Sequence, residues 1–140
     1  MGAERLIRIL IGLVALSAVV AAIAFALRPA PETGDEPMVS VLVPELDAVE
    51  TDGALAYARH CAVCHGENGA GRAGVGPPLV HVIYEPSHHP DEAFIVAVQL
   101  GVRAHHWRFG DMPRQPQVSE DETMQIIAYI RALQRANGIH

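Results

Sequence analysis

Two cysteines and a histidine lie within five residues, as Cys61-Ala62-Val63-Cys64-His65. The run has the form C-x-x-C-H, which is the attachment signature of a covalently bound haem. Cysteines three apart on one helical turn lie on the same side, so both thiols can bond to one porphyrin edge. The adjacent His65 can then give its imidazole to the iron. The motif therefore predicts covalent attachment of a redox cofactor.

Other uses of a C-x-x-C pair fit this chain less well. A thioredoxin-like dithiol needs a βαβ setting, and no strand-rich pattern precedes Cys61. A zinc site needs four ligands, and the chain has two cysteines, although histidines could complete the set. A disulfide between cysteines three apart closes a very small loop and constrains the chain little. Haem attachment is the prediction, and these three uses are its rivals.

Helix signals place the motif at the end of one helix and predict two more helices after it. Asp52 is a capping residue for a helix from Gly53 to Ala62, which leads into the cysteines. Proline and two acids open a second helix at Pro90-Asp91-Glu92, where they suit the first turn and the positive end of the dipole. Gly101 helps to end that helix.

The third predicted helix opens with the capping box Ser119-Glu120-Asp121-Glu122 and stops at Asn137-Gly138. Apolar residues recur at helical spacing in the last two helices: Phe94, Ile95, Val98 and Val102 in one, and Met124, Ile127, Tyr129, Ile130 and Leu133 in the other. No segment shows a convincing apolar–polar alternation with the period of two that strands have. The domain is therefore predicted to be all-α.

The N-terminal segment is apolar enough to cross a membrane. The uncharged residues Ile9 to Leu27 would form a helix about 28 Å long, close to the ~30 Å hydrocarbon core. Arg5 and Arg8 precede them, so we expect the N-terminus in the cytoplasm and the remaining chain across the membrane. A cleaved signal peptide is the alternative, because Ala24-Phe25-Ala26 resembles a cleavage site, although its apolar region would be unusually long.

Between this segment and the helices lies a stretch with the composition of a tether. Residues 29–52 contain four prolines, seven acidic residues and no basic one, which favours an extended linker. Its apolar run Met38–Val43 could instead form a short strand, or dock on the folded domain or on a membrane partner. The chain is thus predicted to have a membrane anchor over 1–28, a linker over 29–52 and a helical domain over 53–140.

The net charge of −6 belongs largely to this linker. From residue 53 on, eight acidic side chains oppose seven arginines, so the predicted domain is nearly neutral. It has few aromatic residues and no basic stripe, which argues against nucleic-acid binding.

These features resemble the class I c-type cytochromes, small electron carriers with a single haem. The resemblance covers the globular part, from Gly53 to about Gly138. Members carry a glycine and an aromatic residue ahead of C-x-x-C-H, as Gly53 and Tyr57 stand here. The resemblance implies that this helix crosses the C-terminal one, with close packing at the glycine against Tyr129 and Leu133.

A second matching stretch is Gly76-Pro77-Pro78-Leu79, which corresponds to a segment that the family carries after its haem motif. The resemblance implies that the Pro77 carbonyl accepts the Nδ1 proton of His65 and that Leu79 covers the haem face. Such a bond would fix the imidazole ring and raise its basicity as a ligand.

The sixth ligand of the iron is open on residue chemistry alone, which requires a thioether or an imidazole well beyond His65. Met112, Met124 and several histidines qualify. The resemblance implies Met112, because the family carries its axial methionine in a loop of this kind, usually as Met-Pro. Met124 is then expected to pack in the core, and His105 and His106 are the main rivals through bis-histidine ligation.

Polar residues around the Met112 loop admit two interpretations. Trp107 is either a packed side chain or a hydrogen-bond donor to a haem propionate, which needs a partner if buried. Three arginines are either solvated or form a positive rim that steers an acidic partner: Arg103, Arg108 and Arg114. The pairs His88-His89 and His105-His106 are either exposed or bind copper, although adjacent residues in a sequence need not converge.

The expected function is that of a membrane-tethered carrier of single electrons, not an enzyme, with one covalent haem c. The resemblance implies a quinol-oxidising complex as donor and a terminal oxidase or reductase as acceptor, with the haem domain on the periplasmic side of a bacterial inner membrane. The expected cofactor-binding residues are Cys61, Cys64, His65, Pro77, Leu79, Trp107 and Met112, with His65 and Met112 on the metal. One alternative is a fixed haem-c subunit of a membrane dehydrogenase or oxidase complex. Another is a haem enzyme or gas sensor with an open sixth site.

Overall fold

A computed structural model of the chain describes residues 2–27 and 36–140. The chain divides into two compact units, which are described separately. The helices, in order, are α1 (Ala3–Ala26), α2 (Ala48–His60), α3 (Ala62–His65), α4 (Asp91–Leu100) and α5 (Glu120–Ala136), with 3₁₀ turns at Glu67–Gly69 and Val82–Tyr84. Within the described ranges no strand forms, and two isolated backbone bridges occur. The predicted all-α fold is confirmed.

The first unit is the single helix α1. Its 24 residues would span about 36 Å, and its most apolar window has a mean hydropathy of 2.8. By length and composition α1 is a candidate membrane span, and a signal sequence near the N-terminus would have the same properties. Of the predicted anchor and linker, Met1 and residues 28–35 lie outside the described residues.

The second unit is built on the crossing of α2 and α5. A Cβ atom on Gly53 would lie 2.0 Å from the Gln125 carbonyl oxygen and 3.0 Å from the Tyr129 Cβ, so only glycine permits this approach of the two backbones. One turn further along α2, the rings of Tyr57 and Tyr129 pack with centroids 5.6 Å apart. Leu133 is fully buried in the same core.

Helix α5 supplies half of the core cluster, with its apolar face centred on Ile130. The core cluster contains Ala56, Tyr57, Leu79, Val80, Ile126, Tyr129, Ile130 and Leu133. Each large apolar side chain buried in this way stabilises the fold by about 1.5–3 kcal/mol. The prediction that Met124 belongs to this face is wrong, since its side chain is 49% exposed. At about 100° per residue, position 124 lies about 120° around the helix from Ile130, beyond the buried face.

The start of α2 differs from the sequence prediction. The helix begins at Ala48, five residues before the predicted Gly53, and Asp47 caps it rather than Asp52. The Asp47 side chain accepts a hydrogen bond from the Glu50 N–H at 2.8 Å, and the Glu50 carboxylate accepts one from the Asp47 N–H at 3.1 Å. This reciprocal capping box satisfies two N–H groups that the first turn leaves unpaired, which explains why the helix starts here.

The chain before α2, from Glu36 onward, belongs to the second unit and contacts the rest of it. The amide of Met38 donates to the Ala70 carbonyl at 3.0 Å. The side chain of Asn137 pairs with both backbone groups of Leu42, at 2.9 and 2.8 Å. Two further side chains of this segment pack on the core, Val41 and Leu46. Of the roles considered for the apolar run Met38–Val43, the structure shows docking on the domain, while the division at residue 53 stays a prediction.

Candidate functional site

The C-x-x-C-H motif occupies the turn where α2 ends and α3 begins. Cys61 closes α2, with its N–H donating to the Tyr57 carbonyl at 2.8 Å. The amides of Cys64 and His65 both donate to the Cys61 carbonyl, at 3.1 and 2.9 Å, so the three motif residues share one tight turn. Cys61 is half-buried and Cys64 is exposed, and neither forms a disulfide. Burial, and secondarily the nearby Cys64, raise the pKa of the Cys61 thiol to about 11.

His65 is held in one orientation by a backbone carbonyl. Its Nδ1 lies 2.9 Å from the Pro77 oxygen, and because a carbonyl can only accept, Nδ1 carries the proton. This is the contact that the family resemblance implies. Burial lowers the pKa of His65, and the bond to Pro77 offsets part of that fall. The imidazole is therefore neutral at physiological pH, with the lone pair on Nε2 available to a metal.

The Pro77 loop reaches the motif because Gly76 allows it. A Cβ at this position would lie 2.4 Å from the Cys64 carbonyl oxygen, so any other residue would push the loop away. Gly76 pairs with Arg72 through two backbone hydrogen bonds of 3.0 Å, and the Leu79 amide donates to the Gly69 carbonyl at 2.8 Å. The buried hydroxyl of Tyr57 donates to the Gly66 carbonyl at 3.0 Å and ties the residue after His65 to α2.

A cavity of about 670 Å³ opens beside His65. Six of the seven predicted cofactor-binding residues line it: Cys61, His65, Pro77, Leu79, Trp107 and Met112. Apolar walls come from residues that the sequence analysis assigned to the core or did not single out, including Tyr84, Phe94, Val98, Ile126 and Ile130. Cys64 and Met124 do not line the cavity, whereas His105 and His106 do.

Met112 reaches this cavity on a loop braced by its own backbone. Its N–H and carbonyl pair with those of Val102 at 2.9 Å each. The Ala104 amide donates to the Asp111 carboxylate at 2.8 Å and closes the same loop. Gly101, which has a φ of +79°, ends α4 and turns the chain into this pairing. The loop between α4 and α5 is therefore an ordered support for its side chains.

Trp107 carries a buried donor without a hydrogen-bond acceptor. Its Nε1 is inaccessible to solvent and has no partner among the described residues. The indole packs edge-on against the His81 ring at 5.2 Å and stacks on Phe109 at 5.9 Å. The indole N–H is near enough to the Tyr84 hydroxyl to offset part of the rise that burial causes in the Tyr84 pKa, but the contact lacks hydrogen-bond geometry.

The two histidine pairs, whose convergence the sequence left open, meet at the edge of the cavity. His88 Nε2 and His106 Nε2 are 3.4 Å apart. His89 and His105 stack with centroids 6.2 Å apart. Local desolvation, and then the neighbouring histidines, lower the pKa of His106.

Arg131 is a site-supporting residue that the sequence analysis missed. Its side chain is almost fully buried and donates to Asp91 at 2.7 Å, to the Tyr84 carbonyl at 2.8 Å and to the His89 carbonyl at 2.5 Å. It also donates to Gln134, whose amide bonds to the Leu79 carbonyl at 2.9 Å. The sequence signal for this role is that Arg131 stands next to the apolar face of α5. An arginine buried there must have hydrogen-bond partners, because an unpaired buried charge is costly.

The described residues fit the haem that the motif predicts. The cavity volume lies within the ~300–1,000 Å³ of typical small-molecule sites. The Cys61 thiol lines the cavity, Cys64 lies three residues on with its thiol also outside any disulfide, and the neutral His65 offers Nε2. The buried N–H of Trp107 lacks an acceptor, which a carboxylate of a bound group could supply.

Residues 50–134 match the family model described as Cytochrome c, which covers more than half of the 140-residue chain. The matched range contains the attachment motif, the Pro77 loop and Met112, together with most of α2 and α5.

Proposed function

The chain belongs to the cytochrome c family, and we propose that it is a membrane-tethered carrier of single electrons whose haem c is ligated by His65 and Met112. Haem-based electron transfer and a covalent haem c follow from membership of the family. The ligand pair, the tether and the partners are the proposal. The observation that carries it is that Cys61, His65 and Met112 line one cavity.

Each residue of the site has a distinct role in this proposal. Bound haem c supplies the Fe(III)/Fe(II) one-electron couple. The thiols of Cys61 and Cys64 would hold it through two thioether bonds. His65 would offer Nε2 to the metal, and the Pro77 carbonyl fixes the ring and raises its basicity. Met112 would offer its thioether as a second ligand, which raises the reduction potential relative to a second imidazole.

The surroundings complete the site. Leu79 is buried and lines the cavity with the apolar side chains of α4 and α5, which would keep water away from a bound metal. Trp107 would offer its buried N–H to a haem propionate, giving that charged group the partner it needs. If His65 and Met112 both bind the metal, no position is left for a substrate, which favours electron transfer over catalysis.

The tether follows from the composition of α1. The helix is long and apolar enough to cross a bilayer, and Arg5 and Arg8 near its start favour a cytoplasmic N-terminus. The haem domain would then lie on the periplasmic side of a bacterial inner membrane. Tethering raises the local concentration of the carrier near membrane-bound partners.

The proposed partners are a quinol-oxidising complex as donor and a terminal oxidase or reductase as acceptor. Arg103 lines the cavity, and all three arginines of the α4–α5 loop region are exposed: Arg103, Arg108 and Arg114. Exposed cations beside a redox site favour a docking partner with an acidic surface.

A fixed subunit of a dehydrogenase or oxidase complex is the second candidate. This alternative would be favoured if the apolar run Met38–Val43 formed an interface with other subunits. In the structure the amide of Met38 bonds to Ala70 and Val41 packs on the core, whereas Leu42 remains 65% exposed. The run is thus partly used within the molecule, which favours the free carrier.

Replacing Met112 tests the ligand pair. We expect Met112→His to lower the reduction potential on the order of 0.1 V, a fraction of the ~0.8 V range that axial ligands span. We expect Met112→Leu to bind carbon monoxide in the ferrous state, because its sixth position is open, whereas the wild type does not. The matched control is Met124→Leu, since Met124 is exposed on α5 and outside the cavity.

The readouts are redox titration and the absorption spectrum of the holoprotein. The assignment fails if Met112→Leu keeps the wild-type potential and does not bind carbon monoxide. Binding of carbon monoxide by the wild type would instead favour a haem enzyme or gas sensor with an open sixth site.

A further inference from the structure

Four histidines from two separate loops meet at the edge of the haem cavity. The ring centroids of His88 and His106 lie 5.3 Å apart, as do those of His89 and His106. His105 packs on His106 at 4.2 Å. The first pair precedes α4 and the second follows it, with His106 18 residues after His88. The ten-residue helix between them therefore brings both pairs to one place.

Three of the four rings bring nitrogen atoms close enough together to hold one metal ion. His88 Nε2 and His106 Nε2 are 3.4 Å apart. Two imidazole nitrogens bound tetrahedrally to one zinc ion at ~2.0–2.1 Å lie about 3.3 Å from each other. The observed separation is longer than the ~2.9–3.0 Å that N–H hydrogen bonds prefer. With His89 included, one nitrogen from each of the three rings lies within 4.8 Å of the others.

His89 has the supporting contacts of a metal ligand. Its Nδ1 donates to the Ile83 carbonyl at 2.6 Å, which leaves the Nε2 lone pair free. Metal-binding histidines usually donate their other ring N–H in this way, which fixes the tautomer and the ring orientation. The His89 carbonyl accepts from Arg131, and the amides of His88 and His89 donate to the Glu85 carbonyl at 3.0 and 2.8 Å. The ring therefore projects from an ordered turn.

The segment that carries His106 is also braced. Val102 and Met112 pair at its ends, and Ala104 bonds to Asp111 within it. His105 donates from Nδ1 to the Arg103 carbonyl at 2.8 Å and packs against His106. Both His88 and His106 are exposed, so an ion can enter from solvent.

We propose that His88, His89 and His106 bind one divalent transition-metal ion of the Zn²⁺, Cu²⁺ or Ni²⁺ class at the mouth of the haem cavity. Imidazole suits these ions, and the absence of a carboxylate from this set of described residues makes it unsuited to Ca²⁺ or Mg²⁺. Three protein ligands leave a coordination position open to water or to a partner's side chain. The site goes beyond electron carriage and does not depend on which residue is the sixth ligand of the haem, provided that His106 is not.

Ligation of the haem iron by His105 or His106 is the competing use of these rings, because both line the cavity. The two uses predict different spectra. A histidine of the transition-metal site can be replaced without changing the axial ligands of the haem. A histidine on the iron cannot.

Zinc titration of the full-length holoprotein in detergent, followed by calorimetry, tests the proposal. Zinc is redox-inert, so its binding does not oxidise or reduce the haem, and the purification tag must not be polyhistidine. The variants are His88→Gln and His106→Gln, both at exposed positions, and the matched control is His140→Gln, an exposed histidine outside the set. The haem absorption spectrum of each variant checks that the domain is intact.

We expect one zinc ion per wild-type molecule, zinc binding at least about tenfold weaker in each cluster variant, and no change in the control. Replacing a residue that only supports a metal ligand already lowers metal affinity ~10–100-fold, so loss of a ligand should cost at least this much. The proposal would be overturned if the wild type did not bind zinc, or if both cluster variants bound zinc as tightly as the wild type. A zinc-free His106→Gln protein that has lost the wild-type axial-ligand spectrum would overturn it too. Failure of Met112 as a ligand is read from the Met112 variants and leaves the zinc isotherm unaffected, so the two proposals fail separately.

Discussion

Glu122 joins the start of α5 to the end of α2 through its two carboxylate oxygens. Oε2 accepts from the Ser119 N–H at 3.2 Å and from its hydroxyl at 3.1 Å. Oε1 lies 3.0 Å from the Arg59 guanidinium. The Ser119 backbone N–H, followed by Arg59, holds the pKa of the Glu122 carboxyl at about 2, below its ordinary value of 4.5. These contacts favour the charged form, so they stabilise the fold only while Glu122 is ionised.

Acid should therefore weaken this contact in a defined window. The folded-state pKa is depressed, so the contribution is complete above pH 4.5 and is lost as the pH falls through about 2. We expect the melting temperature of the wild type to fall more steeply over this window than that of Glu122→Gln, which melts lower above pH 4.5. The matched control is Glu120→Gln, an exposed neighbouring acid. Parallel pH profiles for the wild type and Glu122→Gln would contradict the linkage.

At the scale of residues, the predictable part of the site is the part that is local in sequence. The C-x-x-C-H turn and the stretch around Pro77 carry their spacing in the chain itself, and the structure places His65 and Pro77 in contact. The convergence of His88 with His106 was not predictable, because it depends on how the chain returns after α4. The position of Met124 depended on where the buried face of α5 is centred, which tertiary packing decides.

At the scale of elements, helix limits were predictable where capping signals were unambiguous. Helices α4 and α5 begin and end at the residues that their capping signals indicate. The start of α2 was not predictable in this way, because Asp47 and Asp52 are the same residue type and are equally suited to cap a helix. The discriminating signal is an acid three residues on, since Glu50 completes a capping box with Asp47 whereas Leu55 follows Asp52 at that spacing.

The α2–α5 crossing depends on Gly53, and two effects of Gly53→Ala oppose each other. Alanine favours the helix by about 1 kcal/mol over glycine. Its Cβ would, however, lie 2.0 Å from the Gln125 carbonyl oxygen, a backbone atom that cannot move without separating the helices. Overpacking of this kind costs about 1–3 kcal/mol, so we expect Gly53→Ala to lower the free energy of unfolding.

Denaturant unfolding followed by circular dichroism measures this change. The control is Ala58→Gly, on an exposed position of α2, which reports helix propensity alone and should cost about 0.5–1 kcal/mol. A Gly53→Ala protein that is as stable as the wild type would show that the two helices do not approach as closely as the structure has them.

At the scale of the whole molecule, composition separated an apolar helix from a helical domain but did not show where the domain's contacts begin. Residues 36–46 have the prolines and acids of a linker, yet Asn137 holds Leu42, and Val41 and Leu46 pack on the core. A few apolar side chains at sites offered by the folded domain outweigh the polar composition around them. Such sites exist only once the rest of the chain has folded, so composition alone could not indicate them.

Two truncations with a cleavable signal peptide in place of α1 would separate tether from domain. Removing residues 2–35 should leave the melting temperature of the haem domain unchanged, whereas removing residues 2–46 should lower it. Val41 and Leu46 are only partly buried, so their loss should cost about 1–3 kcal/mol, which is several degrees for a domain of this size.

Both truncated proteins should appear in the soluble periplasmic fraction and the full-length chain in the membrane fraction. Equal melting temperatures of the two truncated proteins would show that residues 36–46 do not stabilise the domain and belong to the linker. A full-length chain in the soluble fraction would show that α1 does not anchor it.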